Sequence, residues 1–391
     1  MKQLLLFILG LISVLHLQAA NVESYDSVEV SLLTCSPGEE IWAQYGHTAI
    51  RWHDLKNGKD EVINYGLFSP DVPYFILRFV FGLTDYRMGV ESFELFCSEY
   101  IYRHRGVTEQ VLALTPEDKQ SLAKALQDNL QPENIVYRYN FFYDNCTSRA
   151  RDIIVSNLHG KVTYPAAINT TFREMLHRWN NAYPWSQFGE DLLLGLPADC
   201  PTKKAEQQFL PNNLQEDFAH AVYNGQPLVT QTRQLLEAYP SVPDSEFPVS
   251  PIQCAIAFVI ILAVIMAYQL FSKKLLWGVD ALLMLMTSLI GIVFTLMIFS
   301  QHPCVSVNLL IIIFNPLPLF FMWHTIKCTR NHRADYWWTL WSILILLGLL
   351  GRMFQNYPPA IMIVALGLLC YSVVHIYVQR DTHLSSKRIE K

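Results

Sequence analysis

The stretch FFYDNCTSRARD, Phe141–Asp152, places one cysteine where a strand-like segment gives way to a helix. The preceding NIVYRYNFF reads as extended, and the following CTSRARDIIVSNL sets Ile153, Ile154 and Leu158 on one helical face. Asp144 or Asn145 is placed to cap that helix. Cys146 then falls in the first turn, where unpaired backbone N–H groups and the positive end of the dipole favour a thiolate. Such a cysteine is half of a disulfide, a small core residue or a nucleophile, and the rest of the chain has to decide.

A nucleophilic thiolate needs a proton acceptor. His47 in QYGHTAIRWHD is the best candidate, because Gly46 allows close approach and the histidine begins a strand that can present it beside the helix start. A cysteine at a helix N-terminus facing a histidine on a neighbouring sheet is the papain-type arrangement, in which a third polar group orients the imidazole. Asn64 on the next strand is one choice for that group. His53 and Asp54 are the alternatives, since His47 and His53 lie six apart and project to one face of an extended strand. The competing readings have their own support. Cys35, Cys97 and Cys200 allow disulfide pairing in an exported domain. No close Cys/His spacing points to a metal, no cofactor is called for, and the GxSxG elbow of serine hydrolases is missing.

Around these residues the chain divides in two. Hydrophobic residues make up 51% of it but are unevenly placed, scattered through 21–248 and gathered in blocks over 252–378. The first half alternates over 27–34, 47–54, 61–68 and 107–114, with KNGK as a hairpin turn between the second and third strands. LTPEDKQSLAKALQDNL reads as a helix capped by Thr115, with Pro116 in its first turn. Further helices are expected near 170–180, 214–223 and 229–238. The class is α+β.

The second half offers five apolar blocks, 252–271, 280–300, 308–326, 337–353 and 359–378, each near the ~20 residues that a bilayer core requires. Lys273, Lys274, Lys327, Arg330, Arg333 and Arg380 fall in alternate loops and the tail, a positive-inside bias that puts the C-terminus in the cytoplasm and the first half outside. Lys2 followed by LLLFILGLISVL and HLQAAN reads as a signal peptide, which agrees. His302, His324 and His375 lie in or near spans, where packed or interfacial histidines are commonest. No pattern of intramembrane acids suggests an ion-coupled transporter, and no basic stripe with aromatics suggests nucleic acid. The expected layout is a signal peptide (1–20), an exported catalytic domain (21–240), a proline-rich linker (241–251), five transmembrane helices (252–378) and a cytoplasmic tail (379–391).

YGHTAIR, INYGLF and YDNCTSRARD, in that order, with FGEDLLLGLPAD (188–199) downstream, resemble the Lnb N-terminal periplasmic domain family over most of 25–240. That family is similar to the circularly permuted NlpC/P60 papain-like proteins, in which the histidine precedes the cysteine, as His47 precedes Cys146. Lecithin:retinol acyltransferase belongs to the same permuted group. The resemblance implies a permuted papain-like domain and a thiol acyltransferase in a bacterial inner membrane. Lnb proteins of Bacteroides-type bacteria are understood to N-acylate lipoproteins with a membrane phospholipid as acyl donor. The lecithin:retinol group uses a second histidine on the following strand. VINY has none here, and Asn64 is the substitute.

The expected partners are therefore a phospholipid donor, a diacylated lipoprotein acceptor and the membrane lipids themselves. PYFILRFVFGL (73–83) reads either as a buried helix or as a lip that admits an acyl chain. Arg149, Tyr143 and Tyr45 are the substrate-binding candidates, with Arg151, Arg78, Arg87, Arg103 and Arg105 also available to hold a lipid phosphate. A membrane-anchored cysteine peptidase or amidase acting on peptidoglycan peptides is the alternative, and an envelope scaffold with a structural cysteine the non-enzymatic one.

Overall fold

A computed structural model describes residues 25–40, 42–69, 71–239 and 247–389. The expected signal peptide, most of the linker and the end of the tail lie outside the described residues. The chain runs β1 (Val28–Cys35), β2 (His47–Asp54), β3 (Lys59–Leu67), α1 (Phe75–Val80), β4 (Asp85–Ser92), α2 (Phe93–Tyr102), β5 (Val107–Leu112), α3 (Pro116–Asn129), β6 (Val136–Arg138) and α4 (Cys146–Ser156). It continues through β7 (Val162–Thr163), α5 (Phe172–Asn180), α6 (Pro184–Leu193), α7 (Lys204–Gln207), α8 (Pro211–Ala219), β8 (Val222–Tyr223), β9 (Gln226–Pro227) and β10 (Val229–Leu236).

A seven-stranded sheet in the order β10-β5-β1-β2-β3-β4-β6 forms the frame, with every pairing antiparallel. Its two faces follow from alternation. Val30, Leu32, Ile50 and Ile63 pack with Leu122, Leu126, Ile153, Ile154 and Phe218 of α3, α4 and α8. Leu33, Cys35, Ala49 and Val62 pack with Phe96 and Tyr100 of α2. On that second face Arg51 is buried, bonded to Asp60 at 2.6 Å and Glu109 at 2.9 Å, with its guanidinium 3.5 Å from the Phe93 ring centroid.

The helix expected over 229–238 is instead the edge strand β10. Its β-branched Val229, Thr230 and Thr232 suit a strand, and the free edge of β5 supplies the partner. The helix expected over 214–223 begins earlier, at Pro211, and ends at Ala219. β4, α2 and α6 have no counterpart in the sequence reading.

The C-terminal region is helical: α9 (Pro251–Ser272), α10 (Trp277–Met297), α11 (Pro303–Ser306), α12 (Leu317–Arg330), α13 (Trp337–Leu350) and α14 (Pro359–Ile389). Four stretches, Pro251–Ser272, Trp277–Met297, Pro303–Arg330 and Pro359–Asp381, are long and apolar enough to cross a membrane. The fourth expected span, 337–353, is shorter. Trp337–Met353 loses its regular helix at Gly351, and α13 covers only ~21 Å of a ~30 Å hydrocarbon core. The third stretch is broken between α11 and α12 before Pro316. Asp280 is buried in α10, where it meets His375 at 3.0 Å and accepts from Tyr371 at 2.7 Å. His324, Cys328 and Asp335 bring donor atoms within 4.8 Å of one another.

The helical region is joined to the sheet domain by backbone as well as side chains. Ser300 and His302 donate to the carbonyls of Val80 and Phe79 at 2.7 and 2.8 Å, and the Gln301 N–H donates to Phe81 at 2.9 Å. Gly195 and Leu196 donate their N–H groups to Cys304 and Val307, each at 2.8 Å. A Cβ on Gly195 would lie 2.0 Å from the Val307 carbonyl oxygen, so only glycine permits that approach. Behind it Arg173, 2% exposed, holds Asp191 at 2.6 Å and Asp199 at 2.9 Å. Asp199 also accepts from the Asn356 amide at 2.7 Å.

This seam yields a stability prediction. Asp199→Ala leaves a buried guanidinium short of one carboxylate and frees Asn356, so it should destabilise the detergent-solubilised protein by about 3 kcal/mol. Chemical denaturation of the variant and parent measures that difference.

Candidate active site

The site is built from the helix start upward. Asn145, not Asp144, is the cap. Its Oδ1 accepts from the N–H groups of Thr147 and Ser148, both at 2.9 Å, and Ser148 Oγ returns a bond to the Asn145 N–H. The Asn145 amide nitrogen donates to the carbonyls of Phe141 and Phe209 at 2.9 and 2.8 Å, which fixes the loop before the cysteine. Asp144 turns the other way and takes Arg149 bidentately at 2.6 and 2.8 Å.

β2 begins with His47. The sheet register ends at Ala49↔Asn64 and pairs Val62 with Glu91, so His47, Asn64 and Glu91 share a face. His47 Nε2 lies 2.8 Å from Asn64 Oδ1, and Asn64 Nδ2 donates to Glu91 Oε1 at 2.6 Å. The chemistry of that chain sets the tautomer. An ionised carboxylate only accepts, so the Asn64 amide nitrogen faces Glu91 and its oxygen faces the ring. His47 Nε2 therefore carries hydrogen, and Nδ1 is the nitrogen left for the thiol.

Cys146 reaches this row from the opposite side of the sheet, at a gap beside Gly66. A Cβ on Gly66 would sit 3.4 Å from Cys146 Cβ and 3.8 Å from His47 Cε1. The residue has φ +100°, and the β3–β4 register slips between Asn64 and Leu67, so backbone and side chain both require glycine.

Burial alone would push the Cys146 thiol up. The facing His47 charge, its hydrogen bond, the Thr48 N–H and Thr147 outweigh that and hold it at about 7. Burial likewise opposes the His47 charge, yet Cys146 and Asn64 raise its pKa, while Arg105 works against protonation. The pair therefore leans toward thiolate and imidazolium. Glu91 is raised by burial and by Glu99.

A cavity of about 610 Å³ opens over the pair. On one side it is lined by Phe68, Phe75, Phe79, Tyr139, His302 and Val305. Phe68 stacks on Phe75 and Tyr86, and Phe79 leans on His302, so rings of the sheet domain and a residue of the helical region form one wall. On the α2 side it is lined by Glu99, Tyr100, Arg103 and Arg105. PYFILRFVFGL is not a buried helix: Phe75 and Phe79 are half-buried and line the cavity, while Tyr74 and Leu77 are exposed.

The remaining candidates separate. Tyr45 lines the cavity, with its hydroxyl bonded to Glu190 and Asn180. Tyr143 is exposed, with its hydroxyl 3.9 Å from Cys304, and is outside the cavity lining. Arg149 is held by Asp144 and stacked 3.6 Å from the Tyr137 ring centroid, also outside the lining. His53 and Asp54 lie at the far end of β2, roughly 20 Å along the strand. Cys35, Cys97 and Cys200 are free thiols. Glu91 is the residue that sequence reasoning missed. The alternation of DYRMGVES was its only signal, since the pairing with β3 that brings it behind Asn64 is non-local.

The ion pair has a direct chemical readout. Alkylation of Cys146 by iodoacetamide, followed by mass spectrometry across pH, should show a midpoint near 7 rather than the ordinary ~8.5. In His47→Ala the burial penalty remains without its compensation, so the midpoint should move above the ordinary value.

The family model for the Lnb N-terminal periplasmic domain matches residues 18–178, and the model for the Lnb transmembrane domain matches 243–382. No curated protein and no solved structure matches the chain. The two matches meet the two halves of the architecture in order, a sheet-rich periplasmic domain followed by a multi-pass membrane region. The chain belongs to the Lnb family.

Proposed function

We propose that the protein is a lipoprotein N-acyltransferase that moves an acyl chain from a membrane phospholipid, through a Cys146 thioester, to the α-amine of a lipoprotein's lipidated N-terminal cysteine. The observation that carries this reading is a Cys–His–Asn row inside an apolar cavity whose wall includes His302 and Val305 of the membrane region. A cleft for peptidoglycan peptides would be open and polar. Here the aromatic side adjoins segments that cross the membrane, which suits a lipid chain.

In this mechanism His47 Nδ1 takes the Cys146 proton and the thiolate attacks the ester carbonyl carbon. The oxyanion draws on the Cys146 N–H at the start of α4, since Asn145 already takes the N–H groups of Thr147 and Ser148. The C–O bond breaks, and the imidazolium returns its proton to the lysophospholipid alkoxide. The neutral acceptor amine then attacks the thioester, His47 receives its proton, and the thiol is restored with a new amide. Asn64, backed by Glu91, keeps Nδ1 aimed at sulfur through both halves. The apolar wall keeps water from the thioester. In this topology the catalytic domain is periplasmic and the C-terminus cytoplasmic.

Incubation with an ester phospholipid should add one acyl mass to Cys146, and a lipoprotein bearing a free α-amine should remove it. Cys146→Ser should abolish lipoprotein N-acylation; full N-acylation by that variant would sink the proposal, and muropeptide cleavage would favour the peptidase. His47→Ala should lower kcat by at least ~10²-fold, and Asn64→Ala by roughly tenfold, because the ring then samples unproductive orientations.

A further inference from the structure

Six arginines invite a phosphate by sequence, and the structure leaves one of them available in the cavity. Arg149 is neutralised by Asp144, Arg151 by Asp152, and Arg103 lies between Glu40 and Glu99. Arg78 and Arg87 do not line the cavity. Arg105 does, and it is held differently. Its Nε donates to the Ser36 carbonyl at 2.8 Å, and its guanidinium lies 4.9 Å from the Tyr100 ring centroid. Gly38 makes room for its stem, since a Cβ there would sit 3.2 Å from Arg105 Cδ. With Nε fixed and the plane stacked, Nη2 is buried with no hydrogen-bond partner among the described residues. A buried, unanswered guanidinium N–H is costly. This one also stands close enough to His47 to oppose its charge. Arg105 lines the cavity with no carboxylate paired to it among the described residues, so an anion in the cavity would answer its charge and relieve that opposition together.

We infer that Arg105 is an anion subsite of the catalytic cavity and takes the phosphodiester of the phospholipid donor, leaving the ester toward Cys146 and the acyl chain toward Phe75 and Phe79. The anion chemistry stands on Arg105 alone; the identity of the lipid rests on the acyl-transfer reading. A phosphodiester is the fitting anion because it is the charged group that the donor carries into this cavity, and a guanidinium whose stem is already fixed stays cationic to meet it.

The test uses lipids that cannot be cleaved. Native mass spectrometry of the full-length protein in detergent compares a dialkyl-ether phosphatidylethanolamine with the matching dialkylglycerol, which lacks phosphate. The parent should prefer the phospholipid by roughly tenfold or more. Arg105→Gln should remove that preference while binding dialkylglycerol as the parent does, and Arg105→Lys should keep part of it. Equal loss of both lipids in Arg105→Gln would make the residue a structural prop, and no loss of either would remove the subsite. If only inorganic phosphate bound through Arg105, and the ether phospholipid did not, the lipid assignment would be overturned. Ether lipids form no thioester, so the outcome is independent of catalysis. Failure of ester donors to acylate Cys146 would remove the acyltransferase reading alone.

Discussion

A half-buried thiol at a helix start ionises near neutral pH when a cation is held against it, and a histidine holds a charge there when its other nitrogen is tied down. The rest of the site serves these two conditions. Asn145 fixes the approach of α4, so sulfur arrives at the gap left by Gly66. Asn64 fixes the ring of His47, and Glu91 fixes Asn64. Neither burial nor charge is sufficient by itself. Burial raises Cys146 and discourages the His47 charge, and the mutual attraction of the pair reverses both tendencies. Attraction in a low dielectric is strong for the reason that burial is costly, since few water dipoles screen either effect.

The membrane region does more than hold this pair at a surface. His302 is the N-cap residue of α11 and Val305 lies within it, and both line one side of the cavity. The bonds of Ser300, Gln301 and His302 to α1 hold Phe75 and Phe79 in the wall. Gly195 and Asp199 tie the stretch after α6 to the same region, and Leu193 and Leu194 line the cavity from there. An isolated sheet domain would lose one wall and the restraints on two others.

What the sequence made legible was local. The cap, the first-turn cysteine and the KNGK hairpin are each decided within a few residues by hydrogen bonds that the chain makes with itself. Asn64 was within reach because β2 and β3 form a hairpin, so its register follows from the turn. Glu91 was not, because β4 joins β3 across α1 and a register slip. Arg149 shows the opposite hazard. Nearness in sequence to Cys146 suggested a role, yet three residues along a helix the side chain meets Asp144 and Tyr137 instead. β10 was misread because helical spacing and an edge strand can share one short polar segment, and only the open edge of β5 decides between them. The apolar blocks were plain, but the break before Pro316 and the end of helix at Gly351 depend on packing against neighbours.

On the acyl-transfer reading, one cavity must accept two ligands in turn, and their charges differ. The donor brings an anionic phosphate; the acceptor brings an amine that is cationic until it is deprotonated. The α2 side carries Arg105 for the first, while its Glu99 is already paired with Arg103. Departure of the lysophospholipid would take the phosphate from Arg105 and leave that cation facing His47. The protonated imidazole is then least favoured, and a neutral histidine is the form that must receive the amine's proton. The same guanidinium that steadies the donor would in this way bias the site toward the base required by the acceptor, with no movement of the protein.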